Sequence, residues 1–231
     1  MFFASDGGFY FGHPNPLNPV KKNLVAVVLL CSCRKEITPQ SSVASSITKE
    51  ASFKEYVVPK GEHYATDNPL QALEVSALKF AVRFDSSAVY QTSNPENQYD
   101  INKLYGFADN GAHHQQFSAR FGWRWSDGAL RLFAYTYNNG VRDSKELGTV
   151  NIGEEAHCSI KINGGQYIFT LNDKAETMLR LSTTEKAKGY QLYPYFGGDE
   201  AAPHEVRIWI KNEAGGQKTE AIHRDTNIVV F

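Results

Sequence analysis

Six arginine and aromatic residues occupy alternate positions of two neighbouring segments, and a histidine precedes them. These candidate residues are Arg120, Arg124, Arg131, Phe133, Tyr135, Tyr137 and His114. Aromatic rings stack on the apolar faces of sugar rings, and planar guanidinium groups form paired hydrogen bonds with carboxylates. The combination predicts a binding site for a polysaccharide or oligosaccharide. The same residue types also suit a solvated sheet face on which Arg and Tyr cover apolar neighbours, so both interpretations stay open.

A β-hairpin is predicted to bring the six strand residues onto one face. Apolar and polar residues alternate from Phe117 to Trp125, and the following Asp127-Gly128 is a preferred two-residue turn. Closing the hairpin there places Arg124 opposite Arg131. The same register determines which residues pair on the outward face and which pair on the face towards the core. The outward pairs are Gly122 with Phe133, Arg120 with Tyr135 and Ser118 with Tyr137, and the inward pairs are Trp125 with Leu130, Trp123 with Leu132 and Phe121 with Ala134.

The rest of the domain also has the pattern of short strands. The alternating segments are 78–84, 156–162, 167–171 and 206–210, with turn signals at 139–140, 163–165 and 172–173 and a terminal strand predicted at 227–231. Two segments, 68–77 and 182–188, are expected to form a helical turn or two. An aromatic content of 13% also favours strands. The predicted fold is an all-β, antiparallel two-sheet β-sandwich of the jelly-roll type.

Two segments of the chain resemble a known superfamily. The sequences SARFGWRW and YPYFGGDEAAPHEV resemble those of concanavalin A-like (lectin/glucanase-type) jelly-roll domains in bacterial surface and periplasmic proteins, over residues 53–231. The resemblance implies a curved sheet whose concave face binds sugar chains. Because the superfamily includes lectins, glycoside hydrolases and polysaccharide lyases, it leaves binding and catalysis both open.

A lyase is the enzyme alternative that the residues favour. Arginines would neutralise the carboxylates of an acidic glycan, while Tyr135, His113 or His114 removes a proton. A retaining glycosidase needs two carboxylates about 5 Å apart, and no predicted strand carries such a pair; Asp199 and Glu200 are expected to be loop acids. A noncatalytic protein-interaction domain is the remaining alternative.

Cofactors, metals and nucleic acid are not expected as partners. The seven histidines are scattered, and the chain has no phosphate-binding loop and no dinucleotide fingerprint. A net charge of −1 lacks the basic excess that nucleic-acid binding uses. Cys158 alternates with polar residues and is predicted to be a small buried side chain without thiol chemistry.

Residues 21–33 have the pattern of a short export signal. Lys21 and Lys22 precede an apolar run, and Leu30-Cys31-Ser32-Cys33 resembles a lipobox whose acceptor is Cys33. The resemblance implies export and a lipid anchor at the periplasmic or outer surface of a Gram-negative bacterium; a buried strand is the alternative. Residues 1–19 do not fit a signal, so 1–33 is interpreted as a misassigned extension, with Val20 as an alternative initiator, plus the signal peptide. Residues 34–52 are predicted to be a flexible Ser-rich tether, and 53–231 the β-sandwich domain.

Overall fold

Two six-stranded antiparallel sheets form the part of the chain that the computed structural model describes, residues 52–213. The strands in chain order are β1 (Lys54–Val58), β2 (Ala72–Val75), β3 (Ala77–Phe84), β4 (Asn102–Ala108), β5 (Phe117–Ser126), β6 (Ala129–Asn138), β7 (Val141–Val150), β8 (Glu155–Asn163), β9 (Gln166–Leu171), β10 (Lys174–Leu179), β11 (Ala187–Leu192) and β12 (Val206–Asn212). Sheet A has the order β1-β12-β3-β8-β9-β10, and sheet B has the order β2-β11-β4-β5-β6-β7. This arrangement confirms the predicted two-sheet sandwich of the jelly-roll, concanavalin-like class.

Aromatic side chains fill the space between the two sheets. Phe121 on β5 of sheet B contacts both Phe80 on β3 and Phe169 on β9 of sheet A, with ring centroids 5.4 Å apart in each case. All three side chains are fully buried. Truncating such a side chain to alanine typically costs about 3–5 kcal/mol of stability because it leaves a cavity. The inward face of the predicted hairpin is therefore part of the core.

The β5–β6 hairpin has the predicted register. Ser126 pairs with Ala129, and the pairs continue through Arg124 with Arg131 and Arg120 with Tyr135. Asp127 and Gly128 have φ angles of 53° and 71°, which is the backbone that a two-residue type I′ turn requires. Because a shift of one residue would exchange the two faces of the strand, this turn determines which side chains point away from the core.

Other strand predictions are confirmed and both helix predictions are wrong. Strands β8 and β9 join through Gly164-Gly165, and β9 joins β10 through Asn172-Asp173. Segment 68–77 instead contains β2, whose burial alternates, and the start of β3. Segment 182–188 forms no helix and leads into β11. The helical turns in the described part of the chain are of the 3₁₀ type, at Ser86–Ala88 and Pro95–Tyr99.

A buried ion pair explains why segment 182–188 is not helical. Arg180 donates from Nε to Asp109 Oδ2 at 2.9 Å, and its Nη1 and Nη2 also donate to the backbone oxygens of Thr184 and Lys186. In a helix the Thr184 carbonyl would accept from the Lys188 N–H, but here that N–H donates to Asp109 Oδ1 at 3.3 Å. The Tyr167 hydroxyl on sheet A donates to the same Asp109 oxygen at 2.6 Å. The network thus connects this segment to both sheets.

Several sequence predictions lie outside residues 52–213. They are the signal peptide with Cys33, most of the tether, and the terminal strand at 227–231. Between residues 52 and 213, no helix is long and apolar enough to cross a membrane.

Candidate functional site

The outer face of sheet B, which points away from sheet A, carries a group of cationic and aromatic side chains. We call this group the Arg120 cluster; it consists of Lys103, Arg120, Tyr135, Tyr137, Tyr190 and Tyr195. The Tyr135 ring lies 5.4 Å from the Arg120 guanidinium and 5.1 Å from Lys103 Nζ, and its centroid is 5.8 Å from that of Tyr137. Two cations therefore lie against one aromatic ring.

The position of Arg120 depends on the close approach of strands β4 and β5. Gly106 on β4 pairs with Arg120 on β5, which in turn pairs with Tyr135 on β6. A Cβ at position 106 would lie 2.2 Å from the backbone oxygen of Ala119 and 2.3 Å from the Arg120 Cβ. Any side chain at position 106 would push β4 away from β5. Glycine is therefore required there for Arg120 to hold its place.

Arg120 is buried without a polar partner. The side chain is 8% exposed, and its Nε has no hydrogen-bond partner. Among residues 52–213 it forms no ion pair and no hydrogen bond, and its contact with Tyr135 is a cation–π interaction. Burial lowers the pKa of its guanidinium, while the hydroxyls of Tyr135, Tyr137, Tyr190 and Tyr195 act in the opposite direction. A buried charge without a paired anion is costly, and such groups commonly mark functional sites.

Lys103 adds a second cation to the cluster. Its ammonium donates to the Ile101 carbonyl at 2.7 Å. Burial, together with the charges of Arg120 and Arg142, lowers the pKa of Lys103 to about 8, although Asp100 acts in the opposite direction. The lysine is therefore largely protonated at neutral pH and loses its charge in mildly alkaline solution.

Tyr135 and His114 have opposite protonation behaviour. Burial and the neighbouring Tyr137 raise the pKa of Tyr135 to about 12, so its hydroxyl keeps its proton at neutral pH. Burial, with the charge of Arg120 and the adjacent His113, lowers the pKa of His114 to about 4. His114 is therefore a neutral imidazole at neutral pH. Of these two predicted base candidates, His114 is the one in its proton-accepting form at neutral pH, although its lowered pKa makes it a weak base there.

Tyr190 holds His114 at the edge of the cluster. The His114 backbone N–H donates to Tyr190 Oη at 3.2 Å, and the imidazole Nδ1 lies 2.9 Å from the same oxygen. In the tautomer with its proton on Nδ1, the imidazole donates to the tyrosine oxygen, and its Nε2 is left as the proton-accepting nitrogen. His113 packs against His114 with ring centroids 4.2 Å apart, and it is exposed.

Arg124, Arg131 and Phe133 share the face but lie towards the Asp127-Gly128 turn. Arg124 donates to the Tyr99 carbonyl at 2.8 Å and lies 4.8 Å from the Phe133 ring. Arg131 forms ion pairs with Glu146 at 3.0 Å and Asp127 at 3.3 Å. These two guanidinium groups are therefore held by the protein, and Arg120 differs from both.

Three members of the Arg120 cluster were missed by the sequence analysis. Lys103 lies on β4, Tyr190 on β11, and Tyr195 just after β11. The β4–β5 pairing shifts register between Lys103 and Gly106, and the intervening Leu104 and Tyr105 are both buried. This bulge breaks the alternation that would have identified β4. The sequence signal that could have identified Tyr195 is the unusual composition of segment 193–200. Glu200 in the same segment is a loop acid, as predicted, and accepts hydrogen bonds from the backbone N–H groups of Ser93 and Asn94.

A group of possible metal ligands and two depressions on the surface of residues 52–213 contain no member of this cluster. Glu155, His157 and Glu213 bring three potential metal ligands within 4.8 Å of one another, but they lie at sheet A and Glu155 is ion-paired with Lys211 at 2.8 Å. Two shallow depressions have volumes of about 200 and 190 Å³ and are lined by residues including Lys186 and Lys174, respectively. Neither includes a member of the Arg120 cluster.

Comparison with known proteins gives only fold-level likeness. No protein-family model matches the chain, and no curated protein sequence matches it. Among solved structures, the alginate lyase AlyC3 is 12% identical, with 69% of each chain covered and a TM-score of 0.46. An alginate lyase from Klebsiella pneumoniae is 13% identical over 67% of this chain and 61% of its own, with a TM-score of 0.45. A glycoside hydrolase family 16 endo-glucanase from Bacteroides ovatus is 10% identical over 71% of this chain and 84% of its own, with a TM-score of 0.41. At these values the likeness carries no information about activity.

Proposed function

We propose that this domain binds an anionic polysaccharide on the outer face of sheet B, with Arg120 pairing with a sugar carboxylate. The observation that carries the proposal is that Arg120, a residue only 8% exposed, has a buried Nε without a partner and forms no hydrogen bond or ion pair among residues 52–213. A carboxylate would supply the missing acceptors in bidentate geometry.

The surroundings of Arg120 support a sugar acid over a neutral sugar. The charges of Arg120 and Arg142 both lower the pKa of Lys103, which places three cations near one another. The Lys103 ammonium lies against the same Tyr135 ring as the Arg120 guanidinium. Tyr137, Tyr190 and Tyr195 are each partly exposed beside this charge. Their rings are suited to contact the apolar faces of a sugar whose carboxylate is neutralised by the cations.

Substitution of Arg120 tests the proposal. We expect Arg120→Met to weaken binding of alginate and polygalacturonate by tenfold or more, because a hydrogen bond to a charged group contributes about 1.5–3 kcal/mol. Isothermal titration calorimetry would measure this, with a neutral β-glucan as the reference ligand. The variant should fold at least as stably as the wild type, since it removes an unpaired buried charge.

Arg207→Met is the matched control. Arg207 lies on β12 of sheet A, is exposed, and is paired with Glu205. Equal loss of affinity in the two variants, or equal wild-type affinity for the neutral glucan, would contradict the proposal.

A polysaccharide lyase is the second candidate, favoured by the 2.9 Å contact between Tyr190 and a neutral His114. In β-elimination the His114 imidazole would take the C5 proton, the C–H electron pair would form the C4=C5 double bond as the C4–O bond breaks, and water would supply the proton to the leaving oxygen. Arg120 would stabilise the charge that develops on the carboxylate. Incubation of the same two polyuronates with the wild type should then increase near-ultraviolet absorbance. A constant absorbance would leave binding without catalysis.

The domain is further proposed to be an exported lipoprotein anchored through Cys33, at the periplasmic or outer surface of a Gram-negative cell. The support is the sequence alone: two lysines, an apolar run, and Leu30-Cys31-Ser32-Cys33, followed by a Ser-rich segment. Such an anchor would hold the sugar-binding domain near the glycans outside the cytoplasm.

A further inference from the structure

An exposed tyrosine stands beside the Arg120 cluster and belongs to no part of the site described above. Tyr64 is 62% exposed, which is high for a large aromatic side chain. Its ring packs edge-on against Tyr195, with centroids 4.8 Å apart and an interplanar angle of 79°. Tyr64 is therefore a solvent-facing ring attached to a member of the cluster.

The neighbouring residues hold this aromatic pair in place. The His63 ring stacks on Tyr195 at 5.3 Å with an interplanar angle of 16°, and its Nδ1 lies 2.7 Å from the Phe196 carbonyl. Tyr64 and Tyr195 also form a β-bridge. Because ring stacking and backbone bonds fix both segments, little conformational entropy remains to be lost when a ligand packs on them.

Strand register places Tyr64 at a defined separation from the cations. Tyr64 bridges to Tyr195, and Tyr195 bridges to Lys103 on β4. Adjacent strands lie about 4.8 Å apart, so the backbone of Tyr64 is roughly 10 Å from the backbone of Lys103 across the sheet. Burial and Tyr64 raise the pKa of the Tyr195 hydroxyl, and the charge of the nearby Arg120 acts in the opposite direction. Tyr195 is thus adjacent both to the exposed Tyr64 ring and to the two cations.

We infer that Tyr64, supported by Tyr195 and His63, forms an additional sugar-binding position that stacks on a ring of the same polysaccharide remote from the carboxylate held by Arg120. This inference rests on the proposed function. When one carboxylate is paired with Arg120, a disaccharide has only one further ring to place on Tyr64, whereas a longer chain has several. Tyr64 therefore determines the preference for long over short ligands.

The experiment compares di- and hexasaccharides of galacturonate and mannuronate by isothermal titration calorimetry. In the wild type the hexamer binds more tightly than the dimer, and Tyr64→Ala reduces this ratio about fivefold by removing one stacking contact. Tyr64→Phe keeps the ratio because the ring remains. Leu70→Ala, which removes another exposed apolar side chain of the same connecting segment, also keeps it.

The outcomes separate this inference from the proposed function. An unchanged ratio in Tyr64→Ala overturns the inference, even when Arg120→Met abolishes binding of both oligomers and the proposed function stands. A reduced ratio in Tyr64→Ala, with Arg120→Met binding as tightly as the wild type, rejects the role of Arg120 and retains the stacking position. Absence of wild-type binding to all four oligomers overturns both.

Discussion

Three arginines on one sheet face differ in what surrounds them. Arg124 and Arg131 bond to Tyr99 and Glu146, which come from a 3₁₀ turn and from β7, whereas Arg120 has no such partner among residues 52–213. The alternation of the hairpin predicted that all three share a face, and they do. It could not distinguish them, because the partners come from elements far away in sequence.

The charge of Lys103 predicts how binding depends on pH. Its pKa is lowered to about 8, and an anionic ligand favours the protonated form, so affinity for polyuronates should fall as pH rises through about 8. We expect about a tenfold loss between pH 7 and pH 9.5. Lys103→Arg should flatten this profile because arginine stays charged. An identical fall in the variant would assign the titration to another group.

At the scale of elements, the sequence predicts those strands whose alternation is unbroken. The register of the β5–β6 hairpin was predicted because a type I′ turn requires a positive φ at both central residues, and Asp127-Gly128 is a pair that readily adopts it. Strand β4 was missed because Leu104 and Tyr105 both face the core at a bulge. The helix expected at 182–188 does not form, because the Thr184 carbonyl and the Lys188 N–H, which would pair in a helix, bond instead to Arg180 and Asp109.

The Asp109–Arg180 pair should dominate the stability of this end of the sandwich. Both side chains are buried, and the Tyr167 hydroxyl donates to the same carboxylate. Burial raises the pKa of Asp109, but the hydrogen bonds from Arg180 and Tyr167 outweigh this effect and leave the pKa lowered. We expect Arg180→Met to cost about 3–5 kcal/mol in urea-induced unfolding, because Asp109 would remain charged and buried.

The double variant Asp109→Asn with Arg180→Met provides the control. It should regain part of the lost stability, since the isolated charge is gone. The contribution of Asp109 is present above the ordinary aspartate pKa, so wild-type stability should decline as pH falls through the lowered value. A cost below about 1 kcal/mol for Arg180→Met would show that the site is hydrated.

For the whole molecule, lipid attachment is the prediction that bears on location. Expression of the full chain in a Gram-negative host with an alkyne-labelled fatty acid should label the wild type and leave Cys33→Ser unlabelled, because the acyl chain requires the Cys33 thiol. Cys31→Ser is the matched control and should keep the label. Labelling of Cys33→Ser, or a wild-type protein without label, would reject the anchor.

The edge of sheet B has a consequence for molecules crowded side by side. Strand β7 pairs with β6, and its first six residues are exposed and include Arg142, Asp143, Lys145 and Glu146. The β6–β7 register also shifts between Leu132 and Phe133. Charged side chains and bulges prevent another chain from adding a strand to an exposed edge. Copies of the domain packed side by side are therefore protected from joining sheets through this edge, which keeps the adjacent face with the Arg120 cluster, the proposed sugar-binding face, accessible.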